Sequence, residues 1–285
     1  MARLRDLVDN ARARLATAGI AAPEAAFDAE LLMRDLLGWD RGAWFLRRDD
    51  SADPDVAGAF ERRIARRAAR EPVAYIRGVQ EFYGREFQVG PGVLIPRPET
   101  ELVVDEALAL LAARPSPRVA DIGTGSGCLA VTLALEFTSA RVAATDISTA
   151  AVRVARVNAA THGVTERVTI TATSLLDGVP GLFDLIVSNP PYVPDSAAAE
   201  LAPEVVDREP RLALFGGADG LREVRAVVTL AATALAPGGS LVMEIGIGQW
   251  PRVRAALEAV GLGGQARVRH DLQDIPRAVV ATRGT

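Results

Sequence analysis

Apolar residues recur every three or four positions through the first seventy residues, the spacing of helices that bury one face. In "LRDLVDNARARLATAG" leucine, valine and alanine share a face and Gly19 ends the run. "PEAAFDAELLMRDLLG" places Pro23 in its first turn and stops at Gly38. "DPDVAGAFERRIARRAAR" opens with Asp53 as cap and Pro54 behind it. The pattern predicts a small helical domain over residues 1–73. It contains no phosphate loop, metal cluster or nucleophile pattern, so docking of a substrate is its expected task. Its most basic stretch, Glu61 to Arg70, reads as an exposed helix face, flanked by Glu71 and the acidic run from Asp49 to Asp55.

The period then shortens to two. "EFYGREFQVGPGVLIP" alternates around glycines and predicts a β-hairpin within a linker over residues 74–97. From residue 98 to 285 a helix that starts near Pro98 is followed by alternating strands and helices. The strands are "RVADIG", "RVAATD", "RVTITAT", "FDLIVSN" and "SLVMEIG", and the end, "ARVRHDLQDIPRAVVATR", reads as two more strands. Such alternation predicts an α/β domain, a parallel sheet with helices on both faces.

Composition narrows the classes. Hydrophobic residues make up 49% and charged residues 24% of the 285, as in ordinary globular chains. No apolar run reaches the roughly 20 residues of a membrane span, and the charged first twenty residues give no expectation of a secretory signal. One cysteine and two histidines offer neither a disulfide nor a zinc site, and a reducing cytoplasm is expected. The net charge of −4 argues against a dedicated nucleic-acid binder. A monomer without membrane or direct nucleic-acid partners is the expectation.

Chemistry is expected where strands end. In "SNPPYV", Pro190 and Pro191 cannot extend a ladder, so the chain leaves the sheet at Asn189. The Asn189 side-chain oxygen and the Pro190 carbonyl can accept both N–H groups of a planar amine or amide, with Tyr192 as an apolar wall. In "DIGTGSGCL", Gly123, Gly125 and Gly127 let the backbone turn sharply and come close to a ligand. Their G-x-G-x-G spacing differs from the dinucleotide fingerprint. It resembles the cofactor loop of S-adenosylmethionine-dependent methyltransferases. Asp146 ends the next strand, where an acidic residue accepts hydrogen bonds from ribose hydroxyls.

Taken together, "LIPRPETE", "DIGTGSG", "SNPPYV" and "EPRLALFGGADGL" resemble the HemK family of release factor glutamine-N5 methyltransferases over nearly the full length. The resemblance implies a seven-stranded Rossmann-like methyltransferase domain behind the helical one. It implies methyl transfer from S-adenosylmethionine to the glutamine of the Gly-Gly-Gln motif of peptide chain release factors. Gly123, Thr124, Gly125, Ser126, Gly127 and Asp146 would hold the cofactor, with Ser174, Leu175 and Asn189 beside it. Asn189, Pro190, Pro191, Tyr192 and Leu94 would meet the glutamine, the first two and Tyr192 in catalytic roles.

Ser174 stands where relatives carry an acidic residue near the adenine, and Asp177, on the following loop, is the candidate substitute. Arg97 and Glu99 are either substrate contacts or an ion pair that stabilises their loop. An adenine-N6 methyltransferase acting on DNA or RNA shares "NPPY" and is the alternative. Cys128, His162 and His270 read as packing or surface residues, and Gly263–Gln265 as a turn before the last strands.

Overall fold

The computed structural model describes residues 2–285 and divides into two compact units. The first comprises Met1–Gly78 and Pro203–Arg208. Its helices are α1 (Leu4–Thr17), α2 (Ala22–Leu37), α3 (Arg41–Arg47), α4 (Pro54–Ala68) and α5 (Val73–Arg77). The start and stop signals act as expected: Gly38 caps the end of α2 in the left-handed conformation at φ 65°, and Asp53, at the start of α4, accepts the Asp55 N–H at 2.8 Å. Val8, Leu15, Leu32, Met33, Phe60 and Ile64 form the core, joined by Trp44 from α3.

Within that core Arg67, only 2% exposed, binds Asp28 at 2.7 Å and Glu24 at 2.6 Å. Glu204, from the returning Pro203–Arg208 segment, completes the cluster at 3.1 Å and also pairs with Arg70. A guanidinium stays charged even when buried, and carboxylate partners offset the cost of taking that charge out of water, so this pairing holds the returning segment to the helices. Nothing in the sequence signals that a stretch so far along the chain belongs to this unit. The expected linker is likewise divided: α5 lies in the first unit, and the chain from Val79 lies in the second.

The second unit begins with the hairpin β1 (Val79–Phe82) and β2 (Arg85–Gln88), then α6 (Glu101–Leu111) and β3 (Arg118–Ile122). α7 (Cys128–Glu136), β4 (Arg141–Asp146), α8 (Thr149–Thr161), β5 (Val168–Ala172) and β6 (Phe183–Ser188) follow. The sheet closes with β7 (Leu235–Glu244), β8 (Arg267–His270) and β9 (Pro276–Thr282). Strand order is β5-β4-β3-β6-β7-β9-β8, with β9 antiparallel to both neighbours and the rest parallel.

Both sheet faces are apolar because successive side chains point to opposite sides. Leu185 and Val187 of β6 pack with α6, α7 and α8 on one face. Ile186 between them joins the helices Arg222–Ala234 and Trp250–Ala259 on the other. The second of these helices has Pro251 in its first turn and buries Val253 and Leu257, four residues apart, on one face. The hairpin sits on the first face through Phe82 and Phe87, whose rings meet edge to face at 6.1 Å. Asn158 of α8 ties it down, accepting from Gln88 N at 2.7 Å and donating to Gln88 O at 3.0 Å.

The order places β4 on one side of β3 and β6 on the other, the switch point at which open α/β sheets bind ligands beyond their carboxyl ends. Ile122 pairs with Thr145 and with Ser188. The glycine loop, Asp146 and Asn189 therefore emerge from three adjacent strands.

Candidate active site

A cavity of about 270 Å³ opens above these strand ends, lined by residues that include Leu94, Thr100, Gly123, Asp146, Leu175 and Asn189. The glycine loop forms its floor. Gly123 and Gly125 adopt positive φ of 73° and 56°, and a Cβ on either would meet no atom within 4 Å. Backbone conformation requires glycine at both, and their missing side chains leave the space open. The N–H groups of Gly123 and Thr124 both donate to Thr145 O at 2.9 Å, which fixes the loop to β4. Thr124 Oγ1 donates to Asp121 at 2.6 Å. Burial pushes the Asp121 carboxyl up to about 7.

Two residues assigned to the cofactor from sequence stand behind the cavity. Ser126 is 2% exposed, and its carbonyl accepts from Asn158 at 2.8 Å. At Gly127, a Cβ would come within 3.1 Å of the Ala155 Cβ. This glycine, at φ 82° as the helix cap, also lets α7 approach α8 closely. Cys128 follows it, buried, with its thiol pushed up to about 12 chiefly by desolvation. Such a thiol is no nucleophile at neutral pH.

Asp146 accepts from Gly125 N at 2.9 Å with one oxygen and from Ser148 N at 2.8 Å with the other. Each oxygen keeps a second lone pair. Burial nevertheless raises the Asp146 pKa, the two backbone donors opposing that rise. Beside it Ile147, 63% exposed, and Leu175 present apolar surface to the cavity. The arrangement suits a diol next to a flat apolar group. Ser174 and Leu175 both line the cavity; Asp177 does not.

Asn189, Pro190 and Pro191 line the same cavity from the end of β6. Asn189 Nδ2 donates to Thr100 Oγ1 at 2.9 Å. Thr100 Oγ1 in turn donates to Glu244 at 2.5 Å, at the carboxyl end of β7. Ser188 pairs with Met243, so the register itself brings Glu244 beside Asn189. Tyr192 points elsewhere than expected: its hydroxyl donates to Glu244 at 3.0 Å, and its ring packs with the helices beneath the sheet. It is not among the residues lining the cavity. Burial raises the Tyr192 pKa, and the neighbouring Glu244 raises it further.

The loop that carries these residues is clamped from behind. Val193 N donates to Leu214 O at 2.9 Å, and Gly216 N donates to Val193 O at 2.9 Å. Gln249 Nε2 donates to Tyr192 O at 2.9 Å. A Cβ at Gly216 would lie 2.5 Å from Pro191 O and one at Gly220 would lie 2.3 Å from Tyr192 O. The glycines of "FGGADG" thus admit the proline loop. Gly216→Ala is expected to cost about 2–3 kcal/mol by overpacking against rigid backbone. Calorimetry should record a melting temperature lower by roughly 4–10 °C.

Arg97 and Glu209 form an ion pair, and Glu209 also accepts the Ile95 N–H at 3.0 Å. Arg97 is therefore a loop-stabilising residue whose partner is Glu209. Sequence reasoning missed Thr100, Glu244, Gln249 and the pairing role of Glu209. Thr100 and Glu209 lay inside the quoted motifs, but their partners are set by strand register and loop packing.

The PrmC N-terminal domain model matches residues 6–78, and the methyltransferase small domain model matches residues 102–217. The release factor glutamine methyltransferase of Mycolicibacterium smegmatis is 43% identical over 284 residues, 99% of each chain. Those of Deinococcus radiodurans and Cereibacter sphaeroides are 43% and 44% identical, each over 98% or more of both chains. Among solved structures, the hMettl16 catalytic domain in complex with MAT2A 3'UTR hairpin 6 superposes with a TM-score of 0.58. It is 16% identical and covers 77% of this chain and 81% of that one. The Thermus thermophilus 16S rRNA N2 G1207 methyltransferase, in complex with AdoMet and guanosine, gives 0.53. It is 20% identical, covering 72% of this chain and 49% of that one. At these identities the two structures support the fold. The near-full-length relatives, with both domain models in register, establish that the chain belongs to the release factor glutamine methyltransferase family.

Proposed function

We propose that this enzyme transfers a methyl group from S-adenosylmethionine to the side-chain nitrogen of the glutamine in the Gly-Gly-Gln motif of peptide chain release factors. The observation that carries the reading is the pair of acceptors at the cavity end of β6. Asn189 has its Nδ2 engaged with Thr100, and its Oδ1 takes no partner among the described residues. The Pro190 carbonyl likewise accepts no bond from them. A primary amide brings two N–H groups, which match two acceptors.

Amide nitrogen is a poor nucleophile because its lone pair is delocalised into the carbonyl. Asn189 Oδ1 and Pro190 O would hold both hydrogens and turn the nitrogen's face toward the cofactor. The same oxygens would stabilise the positive charge that grows on nitrogen during attack. S-adenosylmethionine, when bound, supplies a methyl group on a sulfonium, a good leaving group. The chain's remaining task is in-line placement, in which orientation alone can account for a large share of the rate. No strong base is required, since the proton can leave after transfer.

The residues fit the cofactor. Asp146 would take the ribose hydroxyls on its spare lone pairs, Ile147 and Leu175 would flank the adenine, and Ser174 would supply a neutral polar contact. Gly123 to Gly125 would pass the amino-acid end. Leu94 and Pro191 would border the glutamine, and Tyr192 would act from behind, through Glu244. Release factors are proposed as the partner and the cytoplasm as the compartment. No helix among the described residues is long and apolar enough to cross a membrane.

The test is mass spectrometry after incubation with S-adenosylmethionine and a purified release factor, its Gly-Gly-Gln→Gly-Gly-Ala variant, or unmethylated DNA. One added methyl on the glutamine peptide, absent from the alanine variant, is the expected result. Label in adenine instead would favour a nucleic-acid methyltransferase that uses the same two acceptors.

A further inference from the structure

We propose that Thr100, itself directed by Glu244, sets which end of the Asn189 amide faces the cavity. The inference rests on the reading of Asn189 as the acceptor for the substrate amide. It concerns how that acceptor is kept the right way round.

A carboxamide can rotate by half a turn and exchange a donor for an acceptor at nearly the same place. Facing a substrate N–H, the wrong orientation sets hydrogen against hydrogen. Some neighbour must therefore distinguish Nδ2 from Oδ1. A threonine hydroxyl alone cannot, because it both donates and accepts.

Glu244 removes that ambiguity. Its side chain is buried at 1% exposure, with one oxygen accepting from Tyr192 and the other from Thr100. An ionised carboxylate only accepts, so both hydroxyls must point their single hydrogens at it. Thr100 then has only lone pairs left to offer Asn189. The contact at 2.9 Å must be Nδ2–H to Oγ1, which leaves Oδ1 for the cavity. Burial pushes the Glu244 carboxyl up to about 6, opposed by those two hydroxyls, with Glu99 favouring the protonated form and Arg277 the charged one. The group is thus mostly ionised at neutral pH. A chain of such bonds is cooperative, each member fixing the direction of the next.

The arrangement also accounts for a buried acid at the end of a strand that otherwise packs as core. Met243 and Ile245 on either side of Glu244 belong to the apolar cluster. Thr100 and Glu244 are positioning residues: they act on the reaction through Asn189.

The experiment compares wild type, Thr100→Val, Thr100→Ser and Asn189→Ala, with kcat for the release factor, Kd for S-adenosylmethionine and melting temperature measured for each. Valine keeps the shape and loses the hydroxyl; serine keeps the hydroxyl and loses a methyl. The expected result is a roughly 10- to 100-fold lower kcat for Thr100→Val, with cofactor Kd within about threefold of wild type. Thr100→Ser should recover most of that loss. If valine melts early, Glu244→Gln replaces it. Its amide can donate to Thr100, freeing the hydroxyl hydrogen to meet Asn189, and kcat should again fall with cofactor binding kept.

Equal kcat in Thr100→Val and wild type, with kcat strongly lowered in Asn189→Ala, overturns the inference and leaves the reading of Asn189 intact. An equal loss in the valine and serine variants overturns it too, since the hydroxyl would then not be what matters. Full transfer by Asn189→Ala instead removes the reading on which it rests.

Discussion

Asn189→Ala should lower methyl transfer to a release factor by about 10²–10³-fold, the usual loss when one oxygen or N–H that stabilises a developing charge is removed. The effect should fall on kcat. Asn189 Oδ1 would act on the nitrogen as charge develops there, an interaction stronger in the transition state than in the ground state. Glutamine binding outside the reacting atoms should survive, so KM should move little. Cofactor Kd, read by calorimetry, should stay within about threefold. The Pro190 carbonyl, which no side-chain substitution deletes, would sustain the residual rate. Unchanged transfer would remove the amide-gripping role from this residue.

Asp146→Ala should act in the opposite way, on affinity. Hydrogen bonds to a charged group contribute about 1.5–3 kcal/mol each. Losing those to a ribose should weaken S-adenosylmethionine binding by roughly 10²-fold or more. Part of the loss comes from the loop, because Asp146 also anchors the Gly125 and Ser148 N–H groups. Transfer at saturating cofactor should recover much of the wild-type rate. A calorimetric Kd unchanged in Asp146→Ala would place the ribose elsewhere. The two substitutions together separate cofactor binding from amide orientation at the ends of the two strands that flank β3.

Local signals carried the fold far. Gly19, Gly38 and Asp53 punctuate helices by their own conformational preferences, and the proline pair ends β6 wherever β6 lies. The two ends of the site, the glycine loop and "NPPY", were legible for the same reason: each must break a regular element. What failed to show depends on neighbours that only the folded chain supplies. Gly127 shares the positive φ of its companions, at 82°, yet it alone of the three also meets Ala155 of α8, a contact no local pattern announces. Tyr192 follows the prolines, but Glu244 turns its hydroxyl inward. Glu244 itself sits in an apolar strand, and its meaning comes from the β6–β7 register. The Pro203–Arg208 segment joins the helical unit through Arg67, a pairing that no local pattern announces.

The carboxylate of Glu209 holds together two walls of the cavity, accepting from the Ile95 backbone 114 positions earlier and pairing with Arg97, 112 positions away. Closing such a span costs chain entropy before any contact returns it. A cavity built this way cannot be carried by a fragment or assembled piecemeal on a growing chain. The glycine loop is made early in synthesis, but its opposite wall and the Glu244 anchor arrive only after most of the protein has been translated. Methyl-transfer competence is therefore a late event in this chain's folding, reached when its distant segments have met.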